Sequence, residues 1–166
     1  MSMANVELEI VTPEGVMLSA SVSEFTAQSA DGEFGVLPSH RPLLAALKTG
    51  IVKFTAEGQS QSVAVGPGFV EVIDDRAVLL TQKFTRKEDV DPVIARRDLK
   101  RAEEALAQFD GSAGEQRELL ASLLWAAARL ELYGDPPPPT IRVAHELSHL
   151  GHEQLQDVSE DEPEAD

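Results

Sequence analysis

The chain has 166 residues, no cysteine and a net charge of −15 at pH 7. Its length and 42 % hydrophobic content suffice for one ordinary domain or two small ones. The lack of cysteine excludes disulfides and thiolate chemistry, and the acidic balance argues against nucleic acid and direct lipid insertion. Residues 140–166 hold eight acidic residues and one arginine, so they supply −7 of the charge.

The first half of the chain has the period of two that is typical of half-buried strands. Turn residues such as Gly66-Pro67-Gly68 separate the apolar runs. We expect strands at 6–10, 16–22, 51–55, 61–65, 69–73 and 77–82. Because no helix lies between them, this spacing favours an antiparallel β-sandwich.

One segment, residues 32–44, interrupts this pattern with the sequence Gly-Glu-Phe-Gly-Val-Leu-Pro-Ser-His-Arg-Pro-Leu-Leu. Glycine permits backbone angles closed to other residues, whereas Pro38 and Pro42 restrict φ. We therefore expect a rigid, exposed loop over the whole segment, and rigid exposed loops commonly carry function.

Near residue 88 the apolar period changes from two to that of a helix. Asp91 and Pro92 suit an N-cap and first helical residue, and a connector over 111–114 leads to a second helix that ends at Gly134. The expected packing residues of this antiparallel hairpin are Ala95, Leu99, Ala102, Leu106, Leu119, Leu123, Ala126 and Leu130. We predict a sandwich domain over 1–87, a hairpin domain over 88–134, and a proline-rich spacer with an acidic tail over 135–166.

The tail contains His145-Glu146-Leu147-Ser148-His149, which matches the His-Glu-x-x-His pattern of zinc peptidases. A catalytic zinc site also needs a third protein ligand and a packed substrate cleft. In a helix His152 falls on the same side as the other two histidines, which suits a surface metal clip better. Zinc-dependent peptidase, metal clip and plain amphipathic helix remain alternative interpretations.

The motif over 32–44 and the sandwich-plus-hairpin layout together resemble the epsilon subunit of the F-type ATP synthase. The resemblance covers roughly residues 6–133. It implies a non-catalytic central-stalk subunit without a cofactor, which couples the gamma subunit to the c-ring and modulates ATP hydrolysis. It also implies a peripheral position on the cytoplasmic face of the bacterial membrane, and a contact of the hairpin with the beta subunit.

The same resemblance assigns candidate site residues. The expected c-ring contact comprises Glu33, Phe34, Pro38, Ser39, His40 and Arg41. Many bacterial members bind ATP through an aliphatic-Asp-x-x-Arg-Ala motif, whose arginine is replaced here by Ile94. Asp91, Arg96 and Arg97 form a degenerate nucleotide site, so we expect weak or absent ATP binding. A generic sandwich-and-hairpin binding module of another assembly is the alternative function.

Overall fold

The structure is a computed structural model that describes residues 4–137. Its residues up to Pro136 form one compact unit. The tail histidines His145, His149 and His152, together with Glu146, lie outside the described residues, so the metal interpretations stay predictions. The division of the chain at residues 87 and 134 also stays a prediction.

Ten strands precede the helices. They are β1 (Val6–Thr12), β2 (Gly15–Val22), β3 (Glu24–Ser29), β4 (Gly32–Val36), β5 (Leu43–Leu47), β6 (Gly50–Ala56), β7 (Gln59–Val65), β8 (Gly68–Ile73), β9 (Arg76–Thr81) and β10 (Phe84–Arg86). A 3-10 turn, Lys87–Asp89, leads to α1 (Pro92–Ala107) and α2 (Ala113–Tyr133). Neither helix is long and apolar enough to cross a membrane.

The strands form two layers that are joined at a corner. The first layer has the order β5-β8-β9-β1-β2, and the second has the order β10-β7-β6-β3, with β4 on the free side of β3. A single bridge between Ser29 and Leu47 links the layers. Neighbouring strands are antiparallel except β1 and β9, which run parallel. The predicted fold class, a β-sandwich followed by a two-helix hairpin, is confirmed.

The core lies between the layers and is filled by alternate residues of most strands. Phe25, Leu8, Ile10 and Leu79 are among its largest fully buried side chains. Because each strand sends every second residue inward, the other half of its side chains forms an outer face on each layer. These outer faces are the surfaces on which partners or the helices can pack.

The expectation of one continuous loop over residues 32–44 is wrong. Gly32–Val36 forms β4, which pairs with β3, and Leu43–Leu47 forms β5, which pairs with β8. Phe34 turns toward the core and packs edge-on against Phe25, with ring centroids 6.3 Å apart, and this anchors β4. Only residues 37–42 remain as a connecting loop.

The helices begin at well-formed caps. Asp91 caps α1 by accepting hydrogen bonds from the backbone N–H groups of Val93 and Ile94. Ser112 and Glu115 form a reciprocal capping box at the start of α2, so the helix begins at Ala113 rather than after a connector that reaches residue 114. Gly134 ends α2 in the left-handed conformation, with φ of 106°.

The hairpin lies folded against the second layer. The sequence did not show whether it is folded or extended. α2 packs on the outer face of β6 and β7. Its contact cluster consists of Ala64, Val90, Ala128 and Leu132, flanked by the partly buried Ile51 and Trp125. α2 therefore uses one apolar side to pack on α1 and a second to pack on the sandwich.

Candidate functional site

The first candidate surface is the loop over residues 37–42. Ser39 has a positive φ of 64°, and its backbone N–H donates to the Asp75 carboxylate in the turn between β8 and β9. The His40 N–H donates to the Leu37 carbonyl oxygen at 3.2 Å. The His40 side chain lies 2.6 Å from the Arg41 carbonyl oxygen through Nδ1. The loop is thus held in one conformation by its own backbone and by a neighbouring turn.

The expected c-ring contact divides into two places. Glu33 pairs with Gln28, beside the turn between β3 and β4, and accepts a hydrogen bond from its amide at 3.0 Å. Pro38, Ser39, His40 and Arg41 lie beyond the other end of β4. From Glu33 to Leu37 the strand covers roughly 13 Å at about 3.3 Å per residue. The structure therefore brings the four loop residues together but separates them from Glu33, and Phe34 is a core-facing anchor.

The second candidate surface is an apolar row across the outer face of the first layer. Strand register places five apolar side chains side by side: Ala46, Phe69, Leu80, Val11 and Val16. Val16 is 61 %, Phe69 59 % and Leu80 52 % exposed. We call these five residues the apolar row. The sequence placed Val16, Phe69 and Leu80 in predicted strands, but only the register shows that the five residues are neighbours.

Two features shape the apolar row. Its three central residues, Val11, Phe69 and Leu80, line a shallow groove of about 350 Å³ together with Pro13 and Pro67. Gly68 lets β8 approach β9, because a Cβ at this position would lie 1.8 Å from the Leu80 carbonyl oxygen. The close pairing of β8 with β9 beside the groove therefore requires glycine at position 68.

The same sheet face becomes charged away from the apolar row. Arg76 lies 3.2 Å from the Glu9 carboxylate, and Glu7 accepts a hydrogen bond from Ser21 at 2.7 Å. Glu71 is exposed and lies between these charged residues and Leu44, which is 73 % exposed. A partner that covers the whole face would meet an apolar strip bordered by carboxylates.

The third candidate surface is the groove between the two helices. It has a volume of about 400 Å³, and its lining includes Lys83, Asp98, Arg101, Trp125 and Arg129. Arg129 donates to the Asp98 carboxylate at 2.9 Å. This hydrogen bond, with a smaller contribution from Arg97, lowers the pKa of Asp98 against the opposing effect of partial burial. The groove is cationic, but its most buried cation is already paired.

The residues of the degenerate nucleotide site do not converge in this groove. Asp91 is engaged as the cap of α1. Arg96 binds Asp135 at 2.8 Å, and Arg97 binds Asp98 at 3.3 Å, both at exposed positions. Ile94, at the position of the missing arginine, is 40 % exposed. Weak or absent ATP binding stays a prediction.

The predicted packing residues of the hairpin are mostly buried. Six of its eight predicted residues are buried, whereas Leu106 and Leu119 are half-buried. The second stripe of α2, formed by Trp125, Ala128 and Leu132, was not predicted. Its spacing of three and four residues was the available signal. Within residues 4–137, no group of three or more metal-binding side chains is assembled.

Comparison with known proteins identifies relatives. The family model described as ATP synthase, Delta/Epsilon chain, beta-sandwich domain matches residues 5–87. The ATP synthase epsilon chain of Nitratidesulfovibrio vulgaris is 40 % identical over 131 residues, which are 79 % of this chain and 97 % of that protein. The epsilon chain of Trichlorobacter lovleyi is 37 % identical over 128 residues, covering 77 % and 93 %.

Solved structures show the same fold. A chain of the Euglena gracilis mitochondrial ATP synthase, solved as an OSCP, F1 and c-ring assembly, superposes with a TM-score of 0.60. It is 21 % identical, and the match covers 80 % of this chain and 79 % of that one. A chain from the central stalk and c-ring of the Tetrahymena thermophila enzyme gives a TM-score of 0.54 at 14 % identity, covering 80 % and 99 %.

Proposed function

The chain belongs to the family of ATP synthase delta and epsilon chains, and on this premise we propose that it binds the gamma subunit through the apolar row. Its relatives are epsilon chains, which are non-catalytic subunits of the rotary ATP synthase. Such a subunit connects the gamma subunit to the c-ring, so its function depends on the surfaces that bind these two partners. The membrane association is peripheral, and the cytoplasmic face is part of this proposal.

The proposed gamma contact rests on a difference between the outer faces of the two layers. The outer face of the second layer is partly covered by α2, whereas no other element within residues 4–137 covers the apolar row on the outer face of the first layer. Exposed apolar residues that are neighbours, rather than scattered, are typical of a protein interface. Burial of Phe69, Leu80 and Val16 under a partner would remove this apolar area from water.

The c-ring contact is the second part of the proposal. Glu33 and the loop over residues 37–42 are two separate polar contacts at opposite ends of β4, because the structure separates them along the strand. The loop is held by Asp75, so its side chains are presented without a large loss of conformational entropy on binding. A ring of polar loops could engage either end, and the two ends are distinguishable by experiment.

Regulation of hydrolysis by the hairpin completes the proposal. In the folded arrangement Trp125 of α2 packs toward the sandwich. The hairpin must therefore leave its seat on β6 and β7 before this side chain can meet another subunit. The folded hairpin is the non-inhibiting form.

The test is size-exclusion chromatography of the purified chain with the gamma subunit of the same organism. A stable one-to-one complex is expected, and it should persist when residues 138–166 are removed. Substitution of Phe69 by glutamate should abolish it, whereas Val93→Glu, at an even more exposed site on α1, should not. A complex that survives Phe69→Glu would reject the apolar row as the gamma contact.

Since the sequence contains no cysteine, the ring contact can be mapped with single cysteines at Glu33 and at His40. Each variant is assembled with a c-ring that carries a cysteine in its polar loop, and disulfide formation is measured. We expect cross-linking from at least one of the two positions. Absence of cross-linking from both would refute the ring contact, and Ser62→Cys on β7 serves as the control position.

A further inference from the structure

The folded hairpin is held on the sandwich by a small set of side chains. Two alanines, Ala64 on β7 and Ala128 on α2, allow close approach of helix and sheet. Leu132 and Val90 complete the buried part of the contact. Val90 lies between the 3-10 turn and α1, which is where the chain would have to bend if the hairpin moved.

Trp125 closes the edge of this contact between two cations. The Lys83 ammonium lies 5.7 Å from the centre of the indole ring, and the Arg129 guanidinium lies 6.0 Å from it. Lys83 belongs to the sandwich, between β9 and β10, whereas Arg129 belongs to α2 itself. A cation over an indole face is attracted by the ring quadrupole, and tryptophan is the aromatic residue that binds cations best. The Lys83–Trp125 contact therefore joins sandwich to hairpin.

The most buried cation of the groove between the helices is paired within the chain. Arg129 is mostly buried, and its Nη2 donates to the Asp98 carboxylate of α1. Asp98 also accepts from Arg97. This ion pair keeps α1 and α2 together and holds the guanidinium beside Trp125. An anionic ligand that bound Arg129 through Nη2 would have to displace Asp98 from it.

From these contacts we propose that the hairpin of this chain closes on the sandwich without a nucleotide, through a latch formed by Lys83, Trp125, Arg129 and Asp98 over the Ala64–Ala128 contact. This inference rests on the proposed regulatory role of the hairpin and concerns what keeps it folded. The position of the hairpin then depends on the strength of the chain's own contacts and on competition from partner subunits. The ATP concentration does not set it.

Trp125 is the only tryptophan of the chain, so it reports on the latch without a label. Acrylamide quenching and emission wavelength are measured on the full-length protein with and without Mg-ATP. Ala128→Glu places a carboxylate in the buried contact and should open the hairpin. Its quenching constant should rise about twofold or more, with a red shift, as expected for a local opening that exposes the ring. Ala121→Glu, an exposed position on the same helix, is the matched control and should behave as the wild type.

A second variant tests the latch without touching the buried contact. Lys83→Ala should raise the quenching constant in part, Lys83→Arg should restore it, and Lys87→Ala, at another exposed lysine, should have no effect. Far-UV circular dichroism confirms that the helices are retained. The wild-type signal should not change at millimolar Mg-ATP.

Two results would overturn the inference. One is a wild-type quenching constant equal to that of Ala128→Glu, which means that the hairpin is open without a ligand. The other is a clear decrease in quenching on addition of Mg-ATP, which means that a nucleotide closes it. Binding of the gamma subunit, measured separately through Phe69, distinguishes a failure of the latch from a failure of the proposed function.

Discussion

Truncation of Phe69 to alanine should weaken gamma binding about tenfold while leaving the chain folded. Complete burial of a large apolar side chain is worth about 1.5–3 kcal/mol. Phe69 is 59 % exposed in the free chain, so more than half of this gain is available to a partner. A value of about 1.5 kcal/mol corresponds to roughly a tenfold change in Kd. Because the rest of the side chain is already buried in the free chain, the free energy of unfolding should fall by about 1 kcal/mol, which leaves the chain folded.

The assay is isothermal titration calorimetry of the wild type and of Phe69→Ala with the purified gamma subunit. Leu80→Ala, at 52 % exposure, should cost about 1 kcal/mol, or roughly fivefold. The double variant should deviate from additivity, because Phe69 and Leu80 are paired across two strands and share contacts.

Val93→Ala is the matched control, since Val93 is 69 % exposed but lies on α1, away from the apolar row. It should bind with the affinity of the wild type. If Phe69→Ala and Leu80→Ala both bind within twofold of the wild type, the apolar row does not contribute to the gamma interface and the reasoning from exposure and register is refuted.

Three further predictions concern stability. Asp98→Asn should cost roughly 1 kcal/mol at pH 7 in urea unfolding, since the pair with Arg129 is only partly exposed. The folded-state pKa of Asp98 is lowered, so its contribution to the free energy of unfolding is complete above the ordinary pKa of 3.8 and disappears as the pH falls through the folded-state pKa. The stabilities of variant and wild type should therefore converge in acid. A difference in stability that persists in acid would contradict this. Ser112→Ala should cost about 1 kcal/mol by removing the capping box of α2, and an unchanged thermal midpoint would show that the cap is dispensable. Gly68→Ala should cost about 3 kcal/mol or more because of the clash with the Leu80 carbonyl, whereas Gly114→Ala, which meets only Ser112 Oγ at 3.8 Å, should stabilise α2.

Six strands and the helical hairpin could be predicted from the sequence, because each repeating pattern lies within a single element. The period-two runs gave six of the ten strands, and the stripe that contains Ala95, Leu99, Leu123 and Ala126 gave the hairpin. Asp91 and Gly134 marked helix ends because their chemistry suits only those positions. In these cases local sequence and tertiary packing require the same residues.

The arrangement of the surfaces could not be predicted in the same way. β4 and β5 are short and lie within a glycine- and proline-rich segment, so turn residues hid them until pairing with β3 and β8 became visible. The apolar row depends on register between strands that are far apart in sequence. Glu33 and His40 are close in sequence, but an extended strand between them carries them apart.

The parallel pairing of β1 with β9 affects how the protein is made. Glu7 lies opposite Arg76, so the first strand to leave the ribosome finds one of its two neighbours only after some 69 further residues have been synthesised. Strand pairs that are this far apart in sequence form slowly, because the entropy cost of closing a long loop comes before any stabilising contact. Until then β1 and β2 form an isolated hairpin with an open edge, and such edges invite association with other chains. We therefore expect translation to be the stage at which this sandwich most needs a chaperone.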